Sequence, residues 1–213
     1  MADLHVHTST SPCASADLTP AVVATEARRR GLAMIAVCDH NTAAGVRRVA
    51  EAAGADPAVV AGIEITTREE AHVLGWFPSP EAAEAAADRL TVDPTLLSAA
   101  TPYSLSEVVD LIHRHGGLAV AAHVDRPGFS VPGQLGFIPS DVPFDALEIS
   151  AAGAARGRAA AFARFGLPLV CSSDAHFPED VGAGVTYLDV EEPVFEELAR
   201  ALRQRGGRRC ALA

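Results

Sequence analysis

The chain contains no lysine, so each of its 17 basic residues is an arginine. This absence excludes a Schiff-base lysine, a pyridoxal-phosphate anchor and a Walker-type phosphate-binding lysine as devices of this chain. Arginine is therefore the basic side chain that remains for phosphate, and its planar guanidinium can bind two phosphate oxygens at once.

Cysteines are few and apolar runs are short. The four cysteines, Cys13, Cys38, Cys171 and Cys210, show no CxxC spacing and do not resemble a disulfide framework. The first residues lack the charged and apolar segments of a signal peptide. No apolar run approaches the ~20 residues of a membrane span. We therefore expect a cytoplasmic protein with no membrane partner.

Aromatic residues make up only 5% of the 213 residues, whereas 49% are hydrophobic, so the core must consist mainly of aliphatic side chains. This length and composition predict a single α/β domain over residues 1–213. The formal net charge of −10 argues against general binding to nucleic acid, although bound divalent cations can outweigh nearby side chains. We accordingly expect no nucleic-acid polymer as a partner, and nothing predicts an oligomeric state.

Short apolar runs alternate with helix-like segments along the chain. Thr19 and Pro20 form an N-cap and N1 pair, residues 104–107 form a capping box, and residues 154–165 have a helical pattern. The alternation predicts a largely parallel sheet of about seven or eight strands with helices outside, and this number favours a barrel. The arginine-rich segment 205–209 is expected to be a solvated tail.

Histidines and carboxylates recur where predicted strands end. Six of the eight histidines belong to this set. In His5-Val6-His7, the alternation of a strand places both imidazoles on one face. The other members are His40, Glu64, His72, His123, Asp174 and His176. Because the carboxyl ends of parallel strands converge on one rim of a barrel, the pattern predicts a multinuclear metal centre with hydrolytic chemistry.

The order of these motifs resembles the PHP (polymerase and histidinol phosphatase) family of metal-dependent phosphoesterases. The resemblance rests on residues 3–8 (DLHVHT), 39–42 (DHNT), 62–64 (GIE), 72–75 (HVLG), 122–123 (AH) and 173–176 (SDAH). It implies a distorted (βα)7 TIM-like barrel with the metal site at the C-terminal ends of the strands.

The resemblance also implies a set of ligands for two to three divalent ions, with zinc, manganese and iron as candidates. His5, His7, Glu64 and Asp174 would hold one ion, Glu64 would bridge to a second ion held by His72 and His123, and His40 and His176 would hold a third. Where the family often has an acidic or histidine ligand, this chain has Cys13. A Cys13 thiolate would favour zinc or iron at the third site. The alternatives are that Asp17 replaces it as the ligand, or that Cys13 merely packs and the third site is weak or empty.

This donor set predicts an enzyme that hydrolyses phosphate esters. Two ions bridged by a carboxylate lower the pKa of a shared water, supply hydroxide and neutralise phosphate oxygens. Arg126 is the predicted catalytic phosphate contact, with Arg156 and Arg158 as further candidates, and Phe129 or Phe137 would line a pocket for a base or ring.

The expected substrate is a small phosphate ester of the nucleotide or amino-alcohol phosphate class. The alternatives are an oligonucleotide exonuclease and a metal-stabilised domain that binds a partner without turnover. The near-complete ligand set favours retained catalysis, since a scaffold has no chemical need for so many ligands.

Overall fold

The computed structural model describes residues 1–93 and 99–212, and this part of the chain contains one sheet of nine strands. The strands are β1 (Ala2–Val6), β2 (Met34–Val37), β3 (Ala58–Thr66), β4 (His72–Phe77), β5 (Leu118–Ala121), β6 (Ala146–Ser150), β7 (Leu169–Ser172), β8 (Thr186–Asp189) and β9 (Arg209–Leu212).

Eight α-helices connect or cover these strands in the described part. They are α1 (Pro20–Arg29), α2 (Val46–Ala53), α3 (Pro80–Ala87), α4 (Leu105–Arg114), α5 (Val131–Leu135), α6 (Ala151–Ala155), α7 (Ala159–Phe162) and α8 (Phe195–Leu202). The predicted caps are confirmed: the Thr19 side chain accepts a hydrogen bond from the Val22 amide, and Ser104 and Glu107 form a reciprocal capping box. Among the described helices, none combines the length and apolar character needed to cross a membrane.

The sheet has the strand order β7-β6-β5-β4-β3-β2-β1-β8-β9. Strands β1 to β3 are mutually parallel, as are β5 to β7, whereas β4 runs antiparallel to both β3 and β5. The reversal follows from the short connection of residues 67–71 between β3 and β4, because a parallel pair needs a crossover of about a dozen residues. The expectation of a largely parallel sheet thus has exceptions at β4 and at β8, which pairs antiparallel with both β1 and β9.

The segment after β7 returns to β1 and nearly closes the sheet. Ala175 forms a parallel bridge with Val6, the His7 amide donates to the Ala175 carbonyl, and the Asp174 amide donates to the His5 carbonyl. The sheet therefore has the barrel shape that the sequence predicts, and the α/β barrel class is confirmed.

Two apolar clusters lie on the two faces of this sheet. The outer cluster packs strand side chains such as Ile35 against α1, α2 and α4, and the inner cluster fills the barrel with Leu4, Trp76 and Leu118. Leu198 of α8 also belongs to the inner cluster, so this helix covers one end of the barrel. The opposite end is left for the polar side chains described below.

Two predictions about the later part of the chain are corrected in part by the structure. Segment 205–209 is not a solvated tail throughout, because Arg209 is the first residue of β9, which pairs antiparallel with β8. In β9 the partly buried Cys210 and Leu212 alternate with exposed residues, as in a half-buried edge strand.

The helix expected over 154–165 is broken into α6, α7 and a 3₁₀ turn, and Gly157, between α6 and α7, has a φ of +69°. Glycine adopts this left-handed conformation readily and ends a helix there.

Candidate metal centre

Eight of the nine predicted metal ligands meet at the open end of the barrel, and the ninth, Cys13, lies beside them. His5 lies in β1, His7 follows it, and Glu64 lies near the end of β3. His72 is the first residue of β4, and since β4 runs antiparallel, its beginning lies at the same rim as the end of β3. The remaining ligands at this rim follow β2, β5 and β7, namely His40, His123, Asp174 and His176.

Glu64 lies at the centre of the histidines. Its Oε2 is 3.4 Å from Nε2 of His5, 3.3 Å from Nε2 of His7 and 3.2 Å from Nδ1 of His40. Its Oε1 is 2.7 Å from Nδ1 of His72 and 3.3 Å from Nε2 of His123. One buried carboxylate thus faces five imidazoles, and each of its two oxygens lies among donors that could hold a separate cation.

Three overlapping groups of donor atoms have the spacing of metal sites, each with its atoms within 4.8 Å of one another. The first contains His5, His7, Glu64 and Asp174; the second contains His40, Glu64 and His72; the third contains His7, His40 and His176. The first group has the composition implied by the family resemblance. His7 belongs to both the first and the third group, and His40 belongs to both the second and the third. His123 lies beside the second group, with its Nε2 3.3 Å from Oε1 of Glu64.

The donor set fits divalent metal ions. Nε2 of His5 is buried and has no hydrogen-bond partner among the described residues, yet it points at Asp174 Oδ1, 3.3 Å away. A buried polar atom without a hydrogen bond is costly, and coordination of a cation by this atom would relieve that cost. Imidazole and carboxylate together suit zinc, manganese and iron.

The electrostatics of the centre also favour bound cations. Burial opposes ionisation of Glu64, but His72, His40 and His5 hold its pKa well below the usual value. Burial lowers the pKa of His7, and its hydrogen bonds to Asp174 and Glu64 more than offset this, raising the pKa to about 9. Burial lowers the pKa of His40 to about 4, so this imidazole is neutral and able to ligate. The carboxylates therefore attract positive charge, which metal ions can supply.

Cys13 lies beside the third donor group. Its Sγ is 3.1 Å from Nε2 of His176, and it lines the same cavity. Burial and the nearby carboxylate of Glu64 raise the pKa of this thiol to about 11. A thiolate at this position therefore requires a cation, such as a metal ion, to stabilise its charge.

Buried hydrogen bonds to the ring nitrogen that does not face the centre orient the imidazole of His7. Asp39 accepts hydrogen bonds from the Thr8 amide at 2.8 Å and from the Ser11 hydroxyl at 2.7 Å, and Ser11 Oγ lies 3.1 Å from Nδ1 of His7. A Cβ at Gly45 would lie 2.1 Å from an Asp39 oxygen, so only glycine fits behind this carboxylate. Asp39 thus fixes the ring of His7 through Ser11, as hydrogen-bond partners behind metal ligands commonly do.

Glu148 is a buried residue of the site that the sequence motifs miss. Its oxygens lie 3.2 and 3.1 Å from Nδ1 of His5, and one accepts from the His123 amide at 2.9 Å. The available signal was a lone carboxylate in the otherwise apolar segment Ala146–Ile149. A charged side chain there is rare unless it is paired, and here its partner is a candidate ligand.

The centre forms the floor of a cavity of about 490 Å³, one wall of which is the turn of residues 126–129. Arg126 forms an ion pair with Asp174 through Nη1 and Oδ2, and its side chain is partly exposed. Phe129 also lines the cavity. Arg156, Arg158 and Phe137 do not line it, and Arg158 instead donates a hydrogen bond to the Asp125 carbonyl.

Solved structures with the same fold include endonucleases. The lesion-specific endonuclease Q of Pyrococcus furiosus superposes with a TM-score of 0.81 at 18% identity, over 98% of this chain and 57% of that one. Endonuclease Q in complex with a 27-mer duplex bearing an abasic lesion gives 0.76 at 18% identity over the same shares. A candidate metal-dependent phosphoesterase of Bifidobacterium adolescentis gives 0.63 at 20% identity, over 96% of both chains. No curated protein matches the sequence.

This chain spans little more than half the length of the endonuclease Q chains. The expectation that a nucleic-acid polymer is no partner is wrong, because a structure with this fold holds a DNA duplex with the lesion at its active site. Net charge is a sum over the whole surface, whereas contact with a phosphate depends on the local field, which bound cations can reverse.

Two family models divide the chain at one residue. The model of the PHP domain matches residues 3–153, and that of the PHP-associated region matches residues 153–206. Strands on both sides of residue 153 belong to the same sheet. The match to the PHP domain covers well over half of the chain, and its members are metal-dependent hydrolases of phosphate esters. The chain belongs to the PHP family.

Proposed function

We propose that the protein hydrolyses a phosphodiester of a nucleic-acid strand at this centre. The observation that carries the proposal is the meeting of three overlapping donor groups, two of which contain Glu64, at the floor of a cavity whose wall presents Arg126. Acidic ligands close to a guanidinium suit a reaction in which a phosphate lies between cations.

The three donor groups would hold two to three divalent ions. His5, His7, Glu64 and Asp174 would hold the first, His72, His123 and Glu64 the second, and His40 and His176 with Cys13 the third. When bound, such ions polarise phosphate oxygens and make a coordinated water more acidic.

Arg126 would hold the phosphate from the cavity wall. Its ion pair with Asp174 uses Nη1, and a guanidinium carries five N–H donors in all. The remaining donors can therefore bind phosphate oxygens while Asp174 keeps the side chain in place. Because the contact is charge-assisted, it strengthens as negative charge accumulates on the phosphate in the transition state.

The shape of the cavity sets how a strand would enter. A volume of about 490 Å³ lies within the range of small-molecule pockets and suits a single nucleotide. A strand would therefore present a terminal or extruded nucleotide, a step that costs a few kcal/mol and least at a damaged or unpaired position. The duplex bound by endonuclease Q carries its lesion at the active site, which supports this mode of entry.

A small phosphate ester of nucleotide size is the second candidate substrate. The same cavity volume favours it, since a free nucleotide would fill the space without the cost of unpairing.

The test is turnover by protein reconstituted separately with zinc, manganese and iron. Substrates are a single-stranded oligonucleotide, a duplex with one abasic site, and a panel of nucleoside monophosphates. Cleavage of either polymer, abolished by Glu64→Gln and retained by the exposed control Glu70→Gln, is expected. Release of phosphate from monophosphates alone would assign the second candidate. No turnover of any substrate with retained metal would overturn hydrolysis and favour a binding domain.

A further inference from the structure

Phe129 is an exposed aromatic side chain on the wall of the cavity. Six large apolar side chains are exposed in the described part of the chain, and of these Phe129 alone lines the cavity. The residue is 40% exposed although its ring stacks on His72, with the ring centroids 4.9 Å apart and an interplanar angle of 21°. Part of the aromatic surface is thus available to a molecule in the cavity.

The backbone holds this ring in an uncommon conformation. Phe129 has a φ of +57°, in the left-handed region that bulky residues rarely adopt. Its carbonyl accepts a hydrogen bond of 2.7 Å from the His72 amide, which ties the turn to the first residue of β4. Such a conformation persists where the surroundings enforce it, and functional sites are common among these places.

Contacts on the other side of the turn complete its support. The Ser130 hydroxyl donates to the Arg126 carbonyl at 2.6 Å and accepts from the Gly133 amide at 3.0 Å. A Cβ at residue 133 would lie 2.3 Å from the Pro127 carbonyl oxygen, so glycine lets the chain pack closely there. These contacts hold the turn of residues 126–130 in one conformation, and they therefore fix the positions of Arg126 and Phe129 relative to each other.

The wall combines the two groups that recognise a nucleotide. Arg126 presents a cation for the phosphate, and three residues later Phe129 presents a flat apolar surface for a base. We propose that Phe129 is the specificity-determining residue that stacks with the nucleobase beside the scissile phosphate. The inference rests on the proposed function for the identity of that phosphate, and it adds that the site selects substrates bearing an aromatic ring.

A purely structural role for Phe129 makes a different prediction. If the ring only covered His72, leucine would serve nearly as well and would affect every phosphate ligand alike. Stacking instead affects only ligands that carry a base, and tyrosine or tryptophan would replace phenylalanine.

Binding by the metal-loaded protein separates these roles without turnover. The probes are adenosine 5′-monophosphate and ribose 5-phosphate, which share a phosphate and a sugar and differ in the base. We expect calorimetry to show that the wild type binds the adenosine compound about 10-fold or more tightly than the sugar phosphate. Phe129→Leu is expected to abolish most of this preference, while Phe129→Trp and the exposed control Phe137→Leu retain it.

Turnover provides the second readout. With any base-bearing substrate that is hydrolysed, Phe129→Leu is expected to raise KM about 10-fold and to leave kcat nearly unchanged. Equal binding of the two probes by the wild type, or an equal loss for both probes in Phe129→Leu, would overturn the inference. If the wild type binds the adenosine compound more tightly but hydrolyses no substrate, the stacking role of Phe129 is supported and only the proposed hydrolytic function is refuted.

Discussion

Both carboxylate oxygens of Glu148 contact Nδ1 of His5, at 3.2 and 3.1 Å. The other ring nitrogen of His5, Nε2, is the atom that would bind a metal ion. Both residues are buried. A carboxylate behind an imidazole fixes the ring orientation and raises the basicity of the ligating nitrogen.

Replacement of Glu148 with glutamine is therefore expected to weaken metal binding. The amide keeps the shape of the side chain but loses the negative charge that supports His5. We expect metal affinity to fall about 10- to 100-fold, as measured by competition with a chromophoric chelator. Glu192→Gln, at an exposed position, serves as the control. Unchanged affinity in Glu148→Gln would show that Glu148 does not tune the ligand.

Replacement of Arg126 with alanine is expected to lower kcat/KM about 100-fold, because the variant loses a charge-assisted contact to the phosphate. Arg126→Lys is expected to recover part of the loss, since lysine restores the charge but not the planar fork. Arg156→Ala is the matched control, because Arg156 does not line the cavity. The measurement is the rate on the best substrate from the panel. Equal rates for Arg126→Ala and the wild type would exclude Arg126 from phosphate binding.

Cobalt(II) substitution is expected to reveal a bond from Cys13. A thiolate bound to cobalt(II) absorbs in the near ultraviolet, whereas imidazole and carboxylate ligands do not produce this band. The wild type loaded with cobalt should show the band, Cys13→Ser should lack it, and Cys210→Ser should keep it because Cys210 lies in β9. A wild type without the band would assign Cys13 to packing.

The pH dependence of stability is expected to report on Glu197. Hydrogen bonds from Arg208 and from the Glu191 amide hold the pKa of this carboxyl at about 2, below its usual value of 4.5. Since the pKa is lowered in the folded state, the stabilisation is complete above pH 4.5 and is lost as the pH falls toward 2.

Glu197→Gln should therefore have a lower Tm than the wild type at pH 7, and this gap should narrow as the pH falls below 4.5. Thermal unfolding followed by circular dichroism between pH 7 and pH 3 provides the measurement. Glu192→Gln, which changes an exposed carboxylate, should follow the wild type. A gap that stays constant with pH would show that Glu197 acts through packing alone.

Local patterns were sufficient to predict most elements of the fold. The caps at Thr19 and Ser104 depend on residues three positions apart, so the sequence shows them directly. The antiparallel direction of β4 was not predicted, because it depends on the short connection of residues 67–71 rather than on any property of the strand itself. The broken helix after β6 and the strand β9 were missed, since Gly157 and the pairing with β8 outweigh local helical or polar character.

The sequence by itself determined the α/β barrel and the gathering of its histidines, because strand alternation and strand ends are local features that place side chains on a face and at a rim. The tertiary structure decided which donors share a cation site around Glu64, that Glu148 supports His5, and that Phe129 rather than Phe137 lines the cavity. These relationships join residues far apart in the chain. Their distances depend on barrel closure and on the supported turn of residues 126–130, which no local pattern specifies.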